Sequence, residues 1–320
     1  MNTTLRRAAL IYNPVSGQYS ARREAAVCEA AAELRAAGVE ALVIDTDGPG
    51  TGTQRAHEAA ERGCDAVIAC GGDGTVHEAA QALVGTETAL GVLPLGTANA
   101  LASDLGLIAP PAEVARKLLQ ATRARIPVGR IHYTDASGAP TYRYFVVAAG
   151  IGPDALLMYR MDWRLKRRLG YLLYLIEAAR IWATHPFPLF EAEVAENGNG
   201  ALRVLEVSQL LAVRVRSFGG ALRQLAPGAT VHNGHLQLIA FRTRSRLDYM
   251  RFLLSVLAGR HSFDRTVQLL EASSVECRAR NGTRGRLFAE ADGEVLGSTP
   301  VRLEVADDAL TLLVPPGAEP

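Results

Sequence analysis

The chain has 320 residues, 48% of them hydrophobic, enough to bury two cores of ordinary size, and two domains are the expectation at this length. Lys and Arg number 34 against 33 Asp and Glu, so there is no global field of the kind that holds nucleic acid. Cys28, Cys64, Cys70 and Cys277 have no paired spacing, which argues against a disulfide framework or a zinc site and for reduced thiols.

Met1 to Arg7 leads into one short strand and a polar turn, too little apolar sequence for a signal peptide. The longest apolar stretch, Leu169 to Ala183, is interrupted by Glu177 and Arg180 and falls short of a membrane span. A cytoplasmic location is expected, where the sequons at Asn2 and Asn281 carry no meaning.

From residue 7 to about 125 strands and helices alternate. Ala8 to Tyr12 and Glu40 to Ile44 read as strands, with a helix from Ser20 to Ala37 that stops at Gly38. A second helix is expected over Thr53 to Arg62, a buried strand over Asp65 to Cys70 and a helix over Thr75 to Val84. Ala89 to Leu93 is the next strand, followed by Pro94 to Thr97 and a helix through about Asp104. This alternation predicts a parallel sheet with helices on both faces, ligands binding at the carboxyl ends of its strands. The loops Asn13 to Gly17, Gly71 to Gly74 and Pro94 to Thr97 all follow strands and share that edge.

The most informative segment is Cys70-Gly71-Gly72-Asp73-Gly74-Thr75-Val76-His77-Glu78. Three glycines between a buried strand and a helix serve where something approaches the main chain closely, and a helix start favours anions. Thr75 and Glu78 have the spacing of a capping box. Asp73 would repel a phosphate unless a divalent cation lay between them or the acid served a nucleophile. The run Gly48 to Gly52 lacks the third glycine of a dinucleotide fingerprint and suits a turn better.

After about residue 126 the texture becomes β-rich, with strand-like runs at Tyr142 to Ala149, Leu202 to Arg216, His235 to Arg242, Ser273 to Ala279 and Val301 to Val305. Two helical stretches, about Trp163 to Ala183 and Leu247 to Ala258, interrupt them.

Asn13-Pro14-Val15-Ser16-Gly17, Gly71 to Thr75 and Gly91 to Asn99 together resemble the three signature segments of the diacylglycerol kinase catalytic family, which includes bacterial lipid kinases and sphingosine kinases. Gly150-Ile151-Gly152-Pro153-Asp154-Ala155, Gly219-Gly220 with Ala226-Pro227, and Asp292-Gly293-Glu294 extend the resemblance over nearly the whole chain.

The fold implied is α/β: a three-layer nucleotide-binding domain with a parallel sheet, like NAD kinases and diacylglycerol kinases, over residues 1–126, and a β-sandwich lipid domain over 127–305. Residues 306–320 would pack back on the first domain. The activity implied is transfer of the γ-phosphoryl group of ATP, with Mg²⁺, to a hydroxyl of diacylglycerol or a related lipid. A soluble NAD kinase-like enzyme and a non-catalytic nucleotide-binding regulator are the alternatives.

By the resemblance, Asn13, Ser16, Gly17, Thr46, Gly71, Gly72, Asp73, Gly74, Thr75, Glu78, Gly96, Thr97 and Asn99 line the nucleotide. Glu294 is the first choice of base on the turn it shares with Asp292, and Asp73 is its rival or the Mg²⁺ partner. Thr230, Asn233 and His235 occupy the loop that carries a structural Mg²⁺ in relatives, with Asn233 in place of an acid. Ala100 stands where many members have Asp, which bears on acceptor choice. The partners expected are the lipid at the inner membrane face, met peripherally, and a second copy in a homodimer. Arg164, Lys166, Arg167 and Arg168 ahead of Leu169 to Trp182 read either as a membrane-facing helix or as core.

Overall fold

The computed structural model describes residues 5–14, 20–48, 50–161, 171–198, 201–218, 225–260, 263–280 and 286–318. They form two compact units, Met1–Pro127 with Asp307–Pro320, and Val128–Ala306. Two long strands, β5 (Thr122–Thr134) and β15 (Val301–Val314), run through both boundaries.

In the first unit β1 (Arg7–Tyr12), α1 (Ser20–Ala36), β2 (Glu40–Asp45), α2 (Thr51–Glu61), β3 (Ala66–Gly71), α3 (Asp73–Leu83) and β4 (Ala89–Pro94) alternate as expected, followed by α4 (Ala100–Asp104) and α5 (Pro111–Leu119). The sheet runs β2-β1-β3-β4-β15, every pair parallel. Every residue of β3 is buried, which is why its sequence is apolar without alternation. Gly38, with φ of 86°, closes α1 in the left-handed region. α1 packs with α5 and α2 with α3.

The second unit is mainly antiparallel. Its strands are β6 (Pro140–Phe145), β7 (Ala148–Ile151), β8 (Phe190–Glu196), β9 (Leu202–Val207), β10 (Gln209–Val213), β11 (Leu236–Phe241), β12 (Val267–Arg278), β13 (Phe288–Ala291) and β14 (Glu294–Ser298). One path runs β14-β13-β7-β10-β11-β12, and β12 continues into pairs with β8 and β15 through its second half. Phe145, Phe190, Val194, Leu238, Val275 and Leu303 fill the core they enclose. Among the described residues the unit also has three helices: α6 (Pro153–Arg160), α7 (Tyr171–Thr184) and α8 (Arg246–Leu257).

Two runs expected as single strands are broken. Tyr142 to Ala149 divides into β6 and β7 because the N–H groups of Val146, Val147 and Ala148 turn to the carboxylate of Asp292. Leu202 to Arg216 divides at Ser208, a buried residue whose Oγ lies 2.8 Å from the Tyr249 hydroxyl and 3.3 Å from the Phe241 carbonyl oxygen.

α7 and α8 meet through Trp182, whose Nε1 donates to the Arg246 carbonyl at 3.0 Å, while Nε of Arg246 donates to the Trp182 carbonyl at 2.7 Å. Both helices leave large apolar residues in solvent: Leu172, Leu175 and Ile176 on α7, and Leu247, Leu253, Leu254 and Leu257 on α8. No described helix is long and apolar enough to cross a membrane. The basic cluster at 164–168 lies outside the described residues.

Candidate active site

Strand register sets the candidate site of the first unit. Tyr12 pairs with Cys70, Cys70 with Leu93 and Gly71 with Pro94, so β1, β3 and β4 end level. The loops beginning at Asn13, Gly72 and Leu95 therefore leave one edge of the sheet, the carboxyl edge where such folds take ligands. Ser16 and Gly17 lie outside the described residues.

Two of these loops are joined. A Cβ on Gly96 would overlap the Cα of Gly72 and lie 2.7 Å from Oδ1 of Asn99, so main chain lies against main chain where only glycine fits. Asn99 sits in the left-handed region, φ 50° and ψ 51°; its Oδ1 accepts from the N–H of Gly96 and its Nδ2 donates to the Gly96 carbonyl, each at 2.9 Å. Asp73 completes the joint: Oδ2 accepts from the N–H of Asn99 at 3.1 Å and Oδ1 from that of Ala100 at 2.7 Å. Thr75 folds back so closely that a side chain at Gly71 would overlap its Oγ1, whereas Gly74 and Thr97 face solvent.

The capping-box reading of Thr75 and Glu78 is corrected here. α3 starts two residues earlier, at Asp73, with Gly72 as its N-cap and no side-chain cap. Glu78 instead reaches the start of α2, where Oε1 accepts from the N–H of Gly50 at 2.9 Å and Oε2 from that of Gly52 at 2.8 Å. It holds Gly50 and Gly52 at the start of α2, as a carboxylate suits a helix N-terminus. Thr46, at the end of β2, is buried, and its Oγ1 has no hydrogen-bond partner. A buried hydroxyl in that state beside a ligand-binding edge is a group for a ligand to satisfy.

The second unit, taken by itself, holds a separate group of candidate acids. Asp292 and Gly293, with φ of 49° and 87°, make the two-residue turn between β13 and β14 that an Asp-Gly pair favours. The Asp292 carboxylate accepts the N–H groups of Val146, Val147 and Ala148 at 2.9 to 3.0 Å, and its own N–H donates to the Ala148 carbonyl at 2.8 Å. It organises the turn. Glu294, one residue past the turn, is exposed.

Beneath the turn lie two acids that sequence reasoning left without roles. Glu290 is buried and its Oε2 accepts the N–H of Gly293 at 2.7 Å. Asp154, in the first turn of α6, is partly buried as a residue, and both of its carboxylate oxygens are shut off from solvent. Burial pushes the carboxyl of Asp154 up to about 7, and burial together with the neighbouring Asp154 and Asp292 raises that of Glu290 well above its usual range. The motif Gly150 to Ala155 marks the place of Asp154 in the sequence, but nothing in it points to Glu290.

Thr230, Asn233 and His235 do fall in one loop, yet the groups there do not fit a hard divalent cation. The carbonyls of Val231 and His235 accept from the guanidinium of Arg214 at 3.0 and 3.2 Å, and Arg214 is only 1% exposed. Nδ2 of Asn233 donates to the Gly228 carbonyl at 2.9 Å, and Nε2 of His235 lies 3.7 Å from Glu271. A fixed cation on two loop carbonyls, with an amide in place of a carboxylate, opposes a second cation.

The profile of the diacylglycerol kinase catalytic domain matches residues 7–131, and that of the YegS C-terminal NAD kinase beta sandwich-like domain matches 146–314. A protein of Chromohalobacter salexigens named "Probable lipid kinase YegS-like" is 32% identical over 302 residues, 91% of this chain and 89% of its own. The chain belongs to the diacylglycerol kinase catalytic family. As a member it is an ATP-dependent lipid kinase. The diacylglycerol kinase of Bacillus subtilis is 28% identical over 301 residues, 92% of each chain. In fold, the chain is similar to a crystal structure of a diacylglycerol kinase from Bacillus anthracis, with a TM-score of 0.71 at 18% identity over 99% of this chain and 100% of that one. Yeast NADH kinase is a more distant neighbour, with a TM-score of 0.50 at 10% identity over 98% and 84%.

Proposed function

We propose that this lipid kinase transfers the γ-phosphoryl group of Mg·ATP to a hydroxyl of diacylglycerol or a closely related lipid at a membrane surface. The observation that carries the reading is the double loop Gly71–Thr75 and Gly96–Ala100, which Asp73 fastens into one rigid cradle at the carboxyl edge of a parallel sheet. The N–H groups at the start of α3 and the main chain of both loops suit an anionic phosphate chain. Thr46 and Glu78 support the same ligand, one with an unsatisfied hydroxyl, the other by fixing the neighbouring loop.

Mg²⁺ bound with the nucleotide supplies charge neutralisation on the phosphates, and Asp73 is the acid of the cradle that would face it. Glu294 is the general base. As the acceptor oxygen forms its bond to the γ-phosphorus, its proton passes to the Glu294 carboxylate, and the bond from that phosphorus to the bridging oxygen of ADP breaks. Glu294 suits this better than Asp292, whose oxygens are engaged by backbone N–H groups.

The exposed leucines of α7 and α8, with Arg180 and Arg251 exposed among them, support docking on a bilayer that presents anionic headgroups. The lipid itself is read from the names of the curated relatives.

The test is incubation with labelled ATP, Mg²⁺ and mixed micelles of several lipids, with NAD beside them as a soluble acceptor. Label entering diacylglycerol, and lost in Asp73→Ala and Glu294→Gln, supports the reading. Label on NAD, or on no acceptor, overturns it.

A further inference from the structure

Asp154 and Glu290 share one small space over Gly150. A Cβ on that glycine would overlap Oδ2 of Asp154 and lie 3.0 Å from Oε1 of Glu290, so the two carboxyl groups meet across the one residue in β7 that leaves them room. Two buried carboxylates so placed cannot both be ionised, and the pair holds a proton in common. The charged groups facing Glu290 are Asp154 on α6 and Asp292 on the turn, both acids. Tyr249 on α8 faces Asp154, with its hydroxyl near Ser208. Glu290 ends on the catalytic turn: its other oxygen, Oε2, takes the N–H of Gly293, the residue between Asp292 and Glu294.

We propose that Asp154 and Glu290 are a proton-sharing pair of positioning residues, which holds the Asp292–Glu294 turn and thereby aims the carboxylate of Glu294 for phosphoryl transfer. With its proton, one acid donates to the other and Glu290 keeps an oxygen for Gly293. Without it, two negative charges lie against each other under the turn and displace it. The inference rests on the reading of Glu294 as the base.

The direction of the pH effect follows from burial. The folded chain holds this proton more tightly than the unfolded chain does. The stability it contributes is present at low pH and is lost as pH rises from the ordinary carboxylate range, about 4, towards the raised value of about 7 for Asp154. The same loss appears as an alkaline decline in kcat.

The experiment compares wild type, Glu290→Gln and Glu290→Leu in the full chain, measuring kcat and KM for ATP against pH with diacylglycerol micelles, and Tm against pH. Gln imitates the protonated acid, accepting from Gly293 through its carbonyl and donating to Asp154. It is expected to keep kcat near the wild-type value at neutral pH, to move the alkaline decline upward by about one unit or more, and to flatten the fall of Tm with pH. Leu offers Gly293 no acceptor and is expected to lower kcat by about tenfold or more at every pH with KM for ATP little changed.

An alkaline decline that is the same in wild type and Gln, or a Leu variant with wild-type kcat, overturns the positioning role. Equal slopes of Tm against pH in wild type and Gln overturn the shared proton. Glu294→Gln in the same assay tests the base assignment separately, because the Tm comparison does not depend on it.

Discussion

The Asp73 carboxylate accepts the backbone N–H of Ala100 at 2.7 Å, so an acid at the start of α3 holds the start of α4. The second oxygen takes the N–H of Asn99 at 3.1 Å, and Asn99 is itself closed on Gly96. This chain of contacts ties the glycine turn after β3 to the loop after β4.

Asp73→Ala removes both acceptors and leaves two N–H groups unpaired. The expected cost is about 1–3 kcal/mol of stability, read from urea unfolding. The cradle would also open, and a fall in kcat of about a hundredfold or more is expected in the micelle assay.

Gly96→Ala and Gly74→Ala separate folding from binding. The first places a methyl group against the main chain of Gly72, and a loss of about 1–3 kcal/mol is expected with weaker ATP binding. At Gly74 a Cβ meets nothing within 4 Å. That variant keeps the wild-type Tm and loses ATP affinity alone, as calorimetry of unfolding and of nucleotide binding would record.

Glu78→Ala releases the N–H groups of Gly50 and Gly52. KM for ATP is expected to rise about tenfold, roughly 1.4 kcal/mol of binding, with a smaller change in kcat. A fall in kcat at constant KM would instead give Glu78 a part in the chemical step.

Arg214 bears on metal dependence. Because its guanidinium already holds the carbonyls of Val231 and His235, removing divalent ions with EDTA is expected to leave Tm unchanged. Arg214→Met is expected to lower stability by about 3 kcal/mol or more, through lost buried charge-assisted bonds to those carbonyls. A Tm that drops with EDTA in wild type would show that the loop binds a metal after all.

Much of the first unit was legible because strand and helix alternate with local punctuation: an apolar run, a glycine stop, an Asp-Gly turn. The Asp292–Gly293 hairpin could be read the same way, since both residues accept positive φ. Long-range side-chain partners could not. Glu78 has the spacing of a local cap, but the N–H groups that donate to it lie 26 and 28 residues back, at Gly52 and Gly50. The break between β6 and β7 depends on Asp292, 144 to 146 residues further along. Glu290 is one acid in a four-residue strand until the fold sets Asp154 beside it.

The most direct test of the account is phosphoryl transfer from labelled ATP to diacylglycerol in mixed micelles by the wild type and by Glu294→Gln. We expect label in the lipid with wild type, and a fall in kcat of about a hundredfold or more in the variant with KM for ATP unchanged. Lipid labelled equally by both proteins, or a wild type that labels only a soluble acceptor, would contradict it.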